Sequence, residues 1–250
     1  MGITSVVADG QEVQIAVNED EEEVRYTSLQ VPRLRDSGEF PKELLQQGMM
    51  KELQAMKDFK VFKEVQRSSL TPDQQRSILT SRWVHRWKGD EVRSRLVARG
   101  YDQHIKDLDD VYASTPILVS LRLLLAVSLS CDWSIVSADV STAFLHAELR
   151  SDVPIFMMPP SEFYPDAGKN VLWQLQRAMY GLRSAPRDWQ DHFASTLRNL
   201  KYHRLQSDPN VYVHYEQRII LLVYVDDLLF FGDARAASSS VSEASDSFSS

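Results

Sequence analysis

The sequence predicts an α+β protein built from short antiparallel strands and separate helices. Two apolar runs, residues 219–225 and 228–231, are too short for typical buried helices and flank an Asp-Asp pair, so they indicate a β-hairpin. Other segments repeat apolar residues every three or four positions, which is typical of amphipathic helices; Trp189, Phe193 and Leu197 form one such stripe. With 250 residues, of which 43% are hydrophobic, the chain can form one large domain or two small ones.

Composition divides the chain into three segments. Residues 1–37 mix small, acidic and polar residues without sustained periodicity, which predicts disorder or a linker. Residues 38–233 carry the helix and strand patterns and are expected to form the folded domain. Residues 234–250 are rich in Ser and Ala with scattered acidic residues, so they are expected to be a low-complexity tail.

The first elements of the folded domain are a helix and a hairpin. Pro41 suits the first turn of a helix, and apolar residues at spacings of three or four continue the helical pattern to about Phe59. Residues 82–87 and 92–98 are strand-like and flank a turn that contains Gly89, which is typical of a hairpin.

The remaining elements follow from the same patterns. Residues 120–130 predict a largely buried helix, and the helix that begins near Pro186 carries the Trp189 stripe. Further strands are predicted at residues 134–140, 155–158, 171–175 and 211–215, and residues 141–145 are predicted to be helical.

The acidic and basic residues are unevenly distributed. The formal net charge is −7, and residues 1–24 hold seven acidic and no basic residues, which leaves the remainder with 28 acidic and 28 basic residues. Residues 82–99 contain six basic residues against Asp90 and Glu91. This cluster is either a solvated hairpin face or a surface that binds phosphate.

Cysteine content and hydropathy narrow the class of protein. The single cysteine, Cys131, cannot form an internal disulfide, which argues against a secreted disulfide scaffold. Arg122 interrupts the longest apolar run, and the sequence at Met1 lacks the pattern of a signal peptide. We therefore expect an intracellular protein that does not span a membrane.

Asp226 and Asp227 lie between the two strands of the predicted hairpin. Asp is a favoured turn residue, so the pair can simply close the hairpin and face water. Alternatively, two adjacent carboxylates repel one another, and a divalent cation relieves that repulsion. Asp139 follows another predicted strand, where it can either cap the next helix or supply a third carboxylate.

Several motifs, in this order between about Gly48 and Asp233, resemble the reverse transcriptase of copia-type long-terminal-repeat retrotransposons. Matches to a whole series of motifs in order are far more specific than one tetrapeptide. The matching pieces are Arg82-Trp83-Val84, Arg93-Ser94-Arg95-Leu96-Val97-Ala98-Arg99-Gly100-Tyr101, Ser120-Leu121-Arg122-Leu123-Leu124-Leu125-Ala126, Asp139-Val140-Ser141-Thr142-Ala143-Phe144-Leu145, Tyr180-Gly181-Leu182-Arg183-Ser184-Ala185-Pro186-Arg187-Asp188-Trp189, and Tyr224-Val225-Asp226-Asp227.

The resemblance implies the fingers and palm of a right-hand polymerase, with a small antiparallel palm sheet backed by helices. It also implies RNA-directed DNA synthesis by two-metal nucleotidyl transfer, with Asp139, Asp226 and Asp227 as catalytic residues. Those residues and the backbone carbonyl of Val140 would hold two Mg²⁺ ions, or Mn²⁺ in their place. After the palm, the family continues with a thumb and a ribonuclease H domain, where this chain has the Ser-rich segment. The alternative expectation is therefore an inactive, truncated relic or a nucleic-acid-binding module that lacks the thumb and the ribonuclease H domain.

The resemblance further implies residues that bind the nucleotide triphosphate. Arg93, Arg95 and Arg99 alternate along one predicted strand, so they can share one face and hold the phosphates. The family usually has Lys-Ala-Arg-Leu-Val at the start of this motif, where this chain has Arg93-Ser94-Arg95-Leu96-Val97. Which of the three arginines contacts the triphosphate is left open.

Four more residues are expected to bind substrate. Phe144 stands where the family places an aromatic ring under the sugar, which would exclude a ribonucleotide 2′-hydroxyl; a core Phe at a helix start is the other interpretation. Tyr180 and Gly181 match the family's second substrate motif, and Tyr224 belongs to the Asp-Asp tetrapeptide.

The implied partners are an RNA template, a DNA primer and deoxynucleoside triphosphates. Other polyprotein domains, namely integrase and ribonuclease H, are expected in a full-length element, and no membrane partner is expected. The implied location is cytoplasmic, within a virus-like particle, or nuclear. Another possibility is a different two-metal enzyme such as a nuclease, but the sequence contains no further acidic or His cluster that supports it.

Overall fold

Helices alternate with small antiparallel sheets in the computed structural model, which describes residues 2–8, 11–17, 40–102, 113–150, 153–166 and 169–249. The predicted α+β class is confirmed. In chain order the strands are β1 Gly2–Ala8, β2 Gln11–Val17, β3 Phe62–Gln66, β4 Ser81–Lys88, β5 Glu91–Ala98, β6 Ser134–Asp139, β7 Phe156–Met157, β8 Val171–Leu175, β9 His203–Arg204, β10 Val211–His214, β11 Ile219–Tyr224 and β12 Asp227–Gly232. The helices are α1 Lys42–Asp58, α2 Pro72–Arg76, α3 Leu118–Cys131, α4 Ala143–His146, α5 Ala185–Asn199 and α6 Ala234–Ser249.

The chain divides into two compact units. Unit 1 comprises Met1–Asp36, Thr115–Val140 and Leu197–Ser250, and unit 2 comprises Ser37–Ser114 and Ser141–Thr196.

A five-stranded antiparallel sheet forms the centre of unit 1. Its strand order is β6-β12-β11-β10-β9. The apolar cluster of Leu124, Val211, Leu222 and Phe231 packs α3 against one face, and α6 contacts β6, β11 and β12. Burial of these aliphatic and aromatic side chains stabilises the unit.

Helix α3 is less buried than its sequence predicts. Residues 120–130 are expected to form a largely buried helix, yet within α3 only Leu124 and Ser128 are buried, and Leu129 is 74% exposed. The prediction of a helix is confirmed, and the prediction of its burial is wrong. Because the helix is apolar all round, its periodicity does not reveal that the sheet covers only one narrow stripe.

Asp208 anchors the beginning of α3 from a distant part of the chain. One of its carboxylate oxygens accepts a hydrogen bond from the Ile117 amide at 3.0 Å, and the other accepts from the Asn210 amide at 3.0 Å. Burial opposes ionisation of this carboxyl, but hydrogen bonds from Ser120, Asn210 and Ile117 outweigh it and lower the pKa of Asp208.

Unit 2 combines two small sheets with helices α1 and α5. Strands β4 and β5 form a hairpin whose turn contains Gly89 at φ +61°, and β3, β8 and β7 form a three-stranded antiparallel sheet. Both predictions from sequence are confirmed here: the hairpin, and the buried stripe of α5 with Trp189 and Phe193 at 2% exposure each.

The two terminal segments contain regular structure that composition does not predict. Strands β1 and β2 pair within residues 2–17, and residues 18–37 lie outside the described residues. Helix α6 occupies the segment interpreted as a low-complexity tail, where Ala237, Ser240 and Ala244 are buried. Because these buried side chains are small, the segment lacks the pattern of large apolar residues that usually marks a helix.

Among the described residues, no helix combines the length and the apolar character that crossing a membrane would require.

We expect Asp208→Ala to lower the free energy of unfolding by about 1–3 kcal/mol at pH 7, because the amides of Ile117 and the buried Asn210 lose their acceptor. The folded-state pKa of Asp208 is lowered from 3.8, so its stabilising effect is complete above that value and is lost as pH falls through the folded pKa. Urea unfolding at pH 7 and near pH 3 measures this. The difference from wild type should shrink at the lower pH, and an equal loss at both would contradict the account.

Candidate active site

The Asp-Asp pair lies at the tip of the β11–β12 hairpin. Tyr224 and Asp227 form the last cross-strand pair, so Val225 and Asp226 are the two turn residues. Val225 has φ +58°. Positive φ at the first turn residue but not at the second is the pattern of a type II′ hairpin turn, and a β-branched residue at positive φ is strained. Backbone strain of this kind concentrates at functional sites.

Strand β6 brings Asp139 to the same end of the sheet. It pairs antiparallel with β12, and the last pair is Asp139 with Asp227. The next residue, Val140, donates its amide to the carbonyl oxygen of Asp226 at 2.9 Å. Directly opposed residues of an antiparallel pair project from the same face, so Asp139 and Asp227 are neighbours. The structure therefore brings together Asp139, Val140, Asp226 and Asp227, which come from separate motifs.

Repulsion between these carboxylates perturbs Asp227. Partial desolvation raises the pKa of the Asp227 carboxyl, and the charges of Asp226 and Asp139 raise it further. Asp139 and Asp227 are exposed and Asp226 is half-buried. Closely spaced oxygen donors that repel one another suit a hard divalent cation such as Mg²⁺.

The carboxylates match a magnesium site in donor type and location. Within the described parts of the chain, however, no three or more His, Cys, Asp or Glu side chains are grouped as a metal ion would require. For a metal ion to bind here, the carboxylate side chains would have to rotate, which the exposure of Asp139 and Asp227 permits. Asp139 is not the helix cap that sequence left open, because the cap position of α4 is Thr142.

An apolar groove of about 690 Å³ lies beside the carboxylates in unit 1. Its wall includes Ile117 and Leu121 from the start of α3, and its rim includes Asp139, Asp227 and Tyr224. Tyr224 is 52% exposed. Asp208 holds this wall in place through the Ile117 amide. Nothing in the sequence near Asp208 shows that its carboxylate reaches the beginning of α3.

The arginine strand, β5, lies in unit 2 and alternates buried and half-buried residues. Val92, Ser94, Leu96 and Ala98 are buried, and Arg93 and Arg95 project from the other face. Arg99 follows the strand and is exposed. The predicted shared face therefore holds for Arg93 and Arg95 within the strand, and Arg99 lies just beyond it.

Strand β4 adds further positive charge to this face. Arg86 stands directly opposite Arg93, and Arg82 stands opposite Val97. Like charges directly opposite one another destabilise a strand pair, so an anion bound here would stabilise the hairpin.

In unit 2, Tyr180 contacts two other predicted substrate residues, Arg95 and Phe144. The Arg95 guanidinium lies 4.4 Å from the centroid of the Tyr180 ring. The Phe144 ring meets the Tyr180 ring edge to face, with centroids 5.2 Å apart. Sequence reasoning selected these residues from separate motifs and did not predict that Tyr180 contacts both others. Cation–π and aromatic pairs of this type hold side chains in fixed orientations.

Gly181 packs directly against the arginine strand. Its φ is +89°, and a Cβ at this position would lie 2.1 Å from the carbonyl oxygen of Ala98. The Gly100 amide donates to the Gly181 carbonyl at 3.2 Å. The close backbone contact requires glycine here, whatever else binds nearby.

Comparison with known proteins identifies a family that matches most of this chain. Residues 59–244 match the family described as reverse transcriptase (RNA-dependent DNA polymerase). The matched range contains all of the predicted site residues.

The chain is also similar to segments of three plant transposon polyproteins. It is 34% identical over 164 residues to the retrovirus-related Pol polyprotein from transposon TNT 1-94 of Nicotiana tabacum, covering 62% of this chain and 12% of that protein. It is 32% identical over 167 residues to those from transposons RE1 and RE2 of Arabidopsis thaliana, covering 63% of this chain and 11% of each.

The chain thus spans about a tenth of the length of these relatives, as the shares of 12% and 11% state. The resemblance to copia-type elements is confirmed, and the chain belongs to the reverse transcriptase family, as a relative of copia-type Pol polyproteins.

Proposed function

We propose that this chain is the catalytic core of an RNA-directed DNA polymerase that extends a DNA primer on an RNA template. The observation that carries the proposal is the pairing of Asp139 with Asp227 across β6 and β12, together with the Val140–Asp226 hydrogen bond. It gathers the acidic residues of separate motifs at one end of one sheet. Membership of the family supports the same function.

In this proposal, the five-stranded sheet of unit 1 is the palm and the β4–β5 hairpin of unit 2 belongs to the fingers. The palm then supplies the acidic residues and the fingers supply the basic ones. Carboxylates that hold metal ions suit reaction at the α-phosphate of a nucleotide, and arginines suit binding of the β- and γ-phosphates that leave as pyrophosphate.

Asp139 and Asp226 are the proposed direct metal ligands, with the Val140 carbonyl as a further oxygen donor and Asp227 in support. Two bound Mg²⁺ ions, or Mn²⁺ in their place, would lower the pKa of the primer 3′-hydroxyl and neutralise charge on the attacking and leaving oxygens. Strand pairing fixes the backbone of Asp139 and Asp227, and the hydrogen bond from the Val140 amide fixes that of Asp226.

The remaining proposed roles concern the incoming deoxynucleoside triphosphate. Arg93, Arg95 and Arg99 bind its phosphates, and Phe144 fills the space that a ribonucleotide 2′-hydroxyl would need. Tyr180, Gly181 and Tyr224 complete the substrate surface.

Proposed partners are an RNA template, a DNA primer and, within a longer polyprotein, integrase and ribonuclease H domains. The polyprotein relatives support this last point. The proposed location is the cytoplasm, within a virus-like particle, or the nucleus.

Replacing Asp226 by Asn is expected to reduce primer extension by at least about 100-fold, because an amide does not supply the ligand charge. The assay measures extension of a DNA primer on an RNA template with Mg²⁺ and deoxynucleotides. Asp132→Asn is the matched control, because it makes the same change just before β6, at the opposite end of that strand from Asp139. Extension that survives Asp226→Asn, or falls equally in Asp132→Asn, would refute the assignment.

Without metal, Asp227→Asn is expected to raise the melting temperature at pH 7, because it removes repulsion from Asp226 and Asp139. The folded-state pKa of Asp227 is raised above 3.8, so the destabilisation is present above the folded pKa and disappears as pH falls below 3.8. Magnesium should stabilise wild type more than the variant. Calorimetry with and without Mg²⁺ tests this, and a lower melting temperature for the variant at pH 7 would contradict it.

Phe144→Ala is expected to increase ribonucleotide use relative to deoxynucleotide use by about tenfold or more, since the space for the 2′-hydroxyl opens. The measured quantity is the ratio of kcat/KM for the two nucleotides. Phe163→Ala serves as an aromatic control, because Phe163 lies in a turn of unit 2 outside α4. An unchanged ratio in Phe144→Ala would show that this ring does not select the sugar.

A further inference from the structure

Strand β5 has an edge that β4 does not pair. Alternate backbone groups of β5 point to this edge, including the amides of Leu96 and Ala98 and the carbonyl of Val92. An open strand edge invites unwanted pairing, and a buried amide without an acceptor is costly. The Tyr180 carbonyl accepts from the Ala98 amide at 2.8 Å and so completes one end of the edge.

Helix α1 covers the rest of this edge. A Cβ on Gly48 would lie 2.2 Å from the Val92 carbonyl oxygen, so the helix backbone packs directly on the strand. One turn later, the Glu52 carboxylate accepts a hydrogen bond from the Leu96 amide at 3.3 Å. Glu52 is only 8% exposed and Leu96 is 1% exposed.

The charge of Glu52 is tied to the arginines of the same strand. Burial raises the pKa of Glu52 above its ordinary value, and the hydrogen bond from Leu96 and the positive charges of Arg95 and Arg93 offset only part of this rise. A buried carboxylate is retained at low cost only where such partners surround it. The amide that it binds belongs to the residue that follows Arg95 in the chain.

We infer that Glu52 is a positioning residue for the arginine strand: it fixes the backbone of β5 at Leu96 and thereby the direction in which Arg93 and Arg95 project. The inference rests on the proposed function in one respect, namely that these arginines bind the triphosphate. Glu52 does not touch substrate in this account. Its effect on catalysis passes through the strand.

The test compares Glu52→Ala, Glu52→Gln and Lys51→Ala in steady-state primer extension. Glu52→Ala removes the acceptor, and we expect the KM for deoxynucleotides to rise about tenfold with kcat within about threefold, equivalent to about 1.4 kcal/mol. Glu52→Gln keeps an acceptor oxygen and should stay within about threefold of wild type. Lys51→Ala breaks an exposed 2.9 Å ion pair with Glu91 on the same strand and should change nothing.

A folded Glu52→Ala protein with unchanged KM would overturn the inference. So would a fall in kcat alone that matches a reduced active fraction, because this pattern reports only general destabilisation. Equal defects in Glu52→Gln and Glu52→Ala would overturn the hydrogen-bond role. Should Glu52→Ala fail to fold, Glu52→Asp, whose shorter side chain withdraws the acceptor from Leu96, takes its place in the comparison.

Failure of the proposed polymerase function can be distinguished from failure of the positioning role of Glu52. If wild type extends no primer, that function fails, and binding of a fluorescent deoxynucleoside triphosphate replaces the kinetic assay. Affinity about tenfold weaker in Glu52→Ala than in wild type and Glu52→Gln would still support the positioning role. Equal affinities, or no binding by wild type, would overturn it.

Discussion

The antiparallel register of β6 and β12 is the constraint on which the candidate site depends. It sets Asp139 opposite Asp227, and the hydrogen bond from Val140 to Asp226 extends the pairing into the turn. Side chains alternate along a strand, so a slip of one residue would turn Asp139 to the other face of the sheet. Ile135 of β6 pairs with Phe231 of β12 and packs against the apolar cluster, so these residues hold the register, because the same slip would move the Ile135 side chain out of its packed position.

The register also explains the balance between stability and function at the hairpin tip. Repulsion among the carboxylates and the positive φ of Val225 both oppose folding at this point. Neither feature improves the packing of the sheet, since the tip is largely exposed. They are understandable if the end of the sheet is shaped to hold cations, and the apolar strands behind it supply the stability that the tip lacks.

In unit 2, positive charges that are held close together oppose folding in the same way. The β4–β5 hairpin sets Arg86 opposite Arg93, which is unfavourable without an anion. Helix α1 and the Tyr180-Gly181 turn hold the open edge of β5, and the Tyr180 ring contacts both Arg95 and Phe144. Backbone and side-chain contacts together thus fix the arginines on one face of a two-stranded sheet.

Sequence reasoning predicted the parts of this structure that local pattern determines. The β11–β12 hairpin, the β4–β5 hairpin and the buried stripe of α5 follow from periodicity and turn residues. The exposure of α3, the buried Ser240 of α6 and the contact between Glu52 and Leu96 depend on what packs against each element, which one sequence does not reveal. The convergence of Asp139 with Asp227 was expected from family resemblance, whereas the register that produces it is a tertiary property.

The central claim is that Asp139 and Asp226 together hold the metal ions of nucleotidyl transfer. Anomalous diffraction at the manganese edge, from crystals of the protein grown with Mn²⁺, tests it directly. The account predicts an anomalous peak in direct contact with the carboxylates of both residues. Manganese bound elsewhere, with Asp139 pointing away from the hairpin tip, would contradict it.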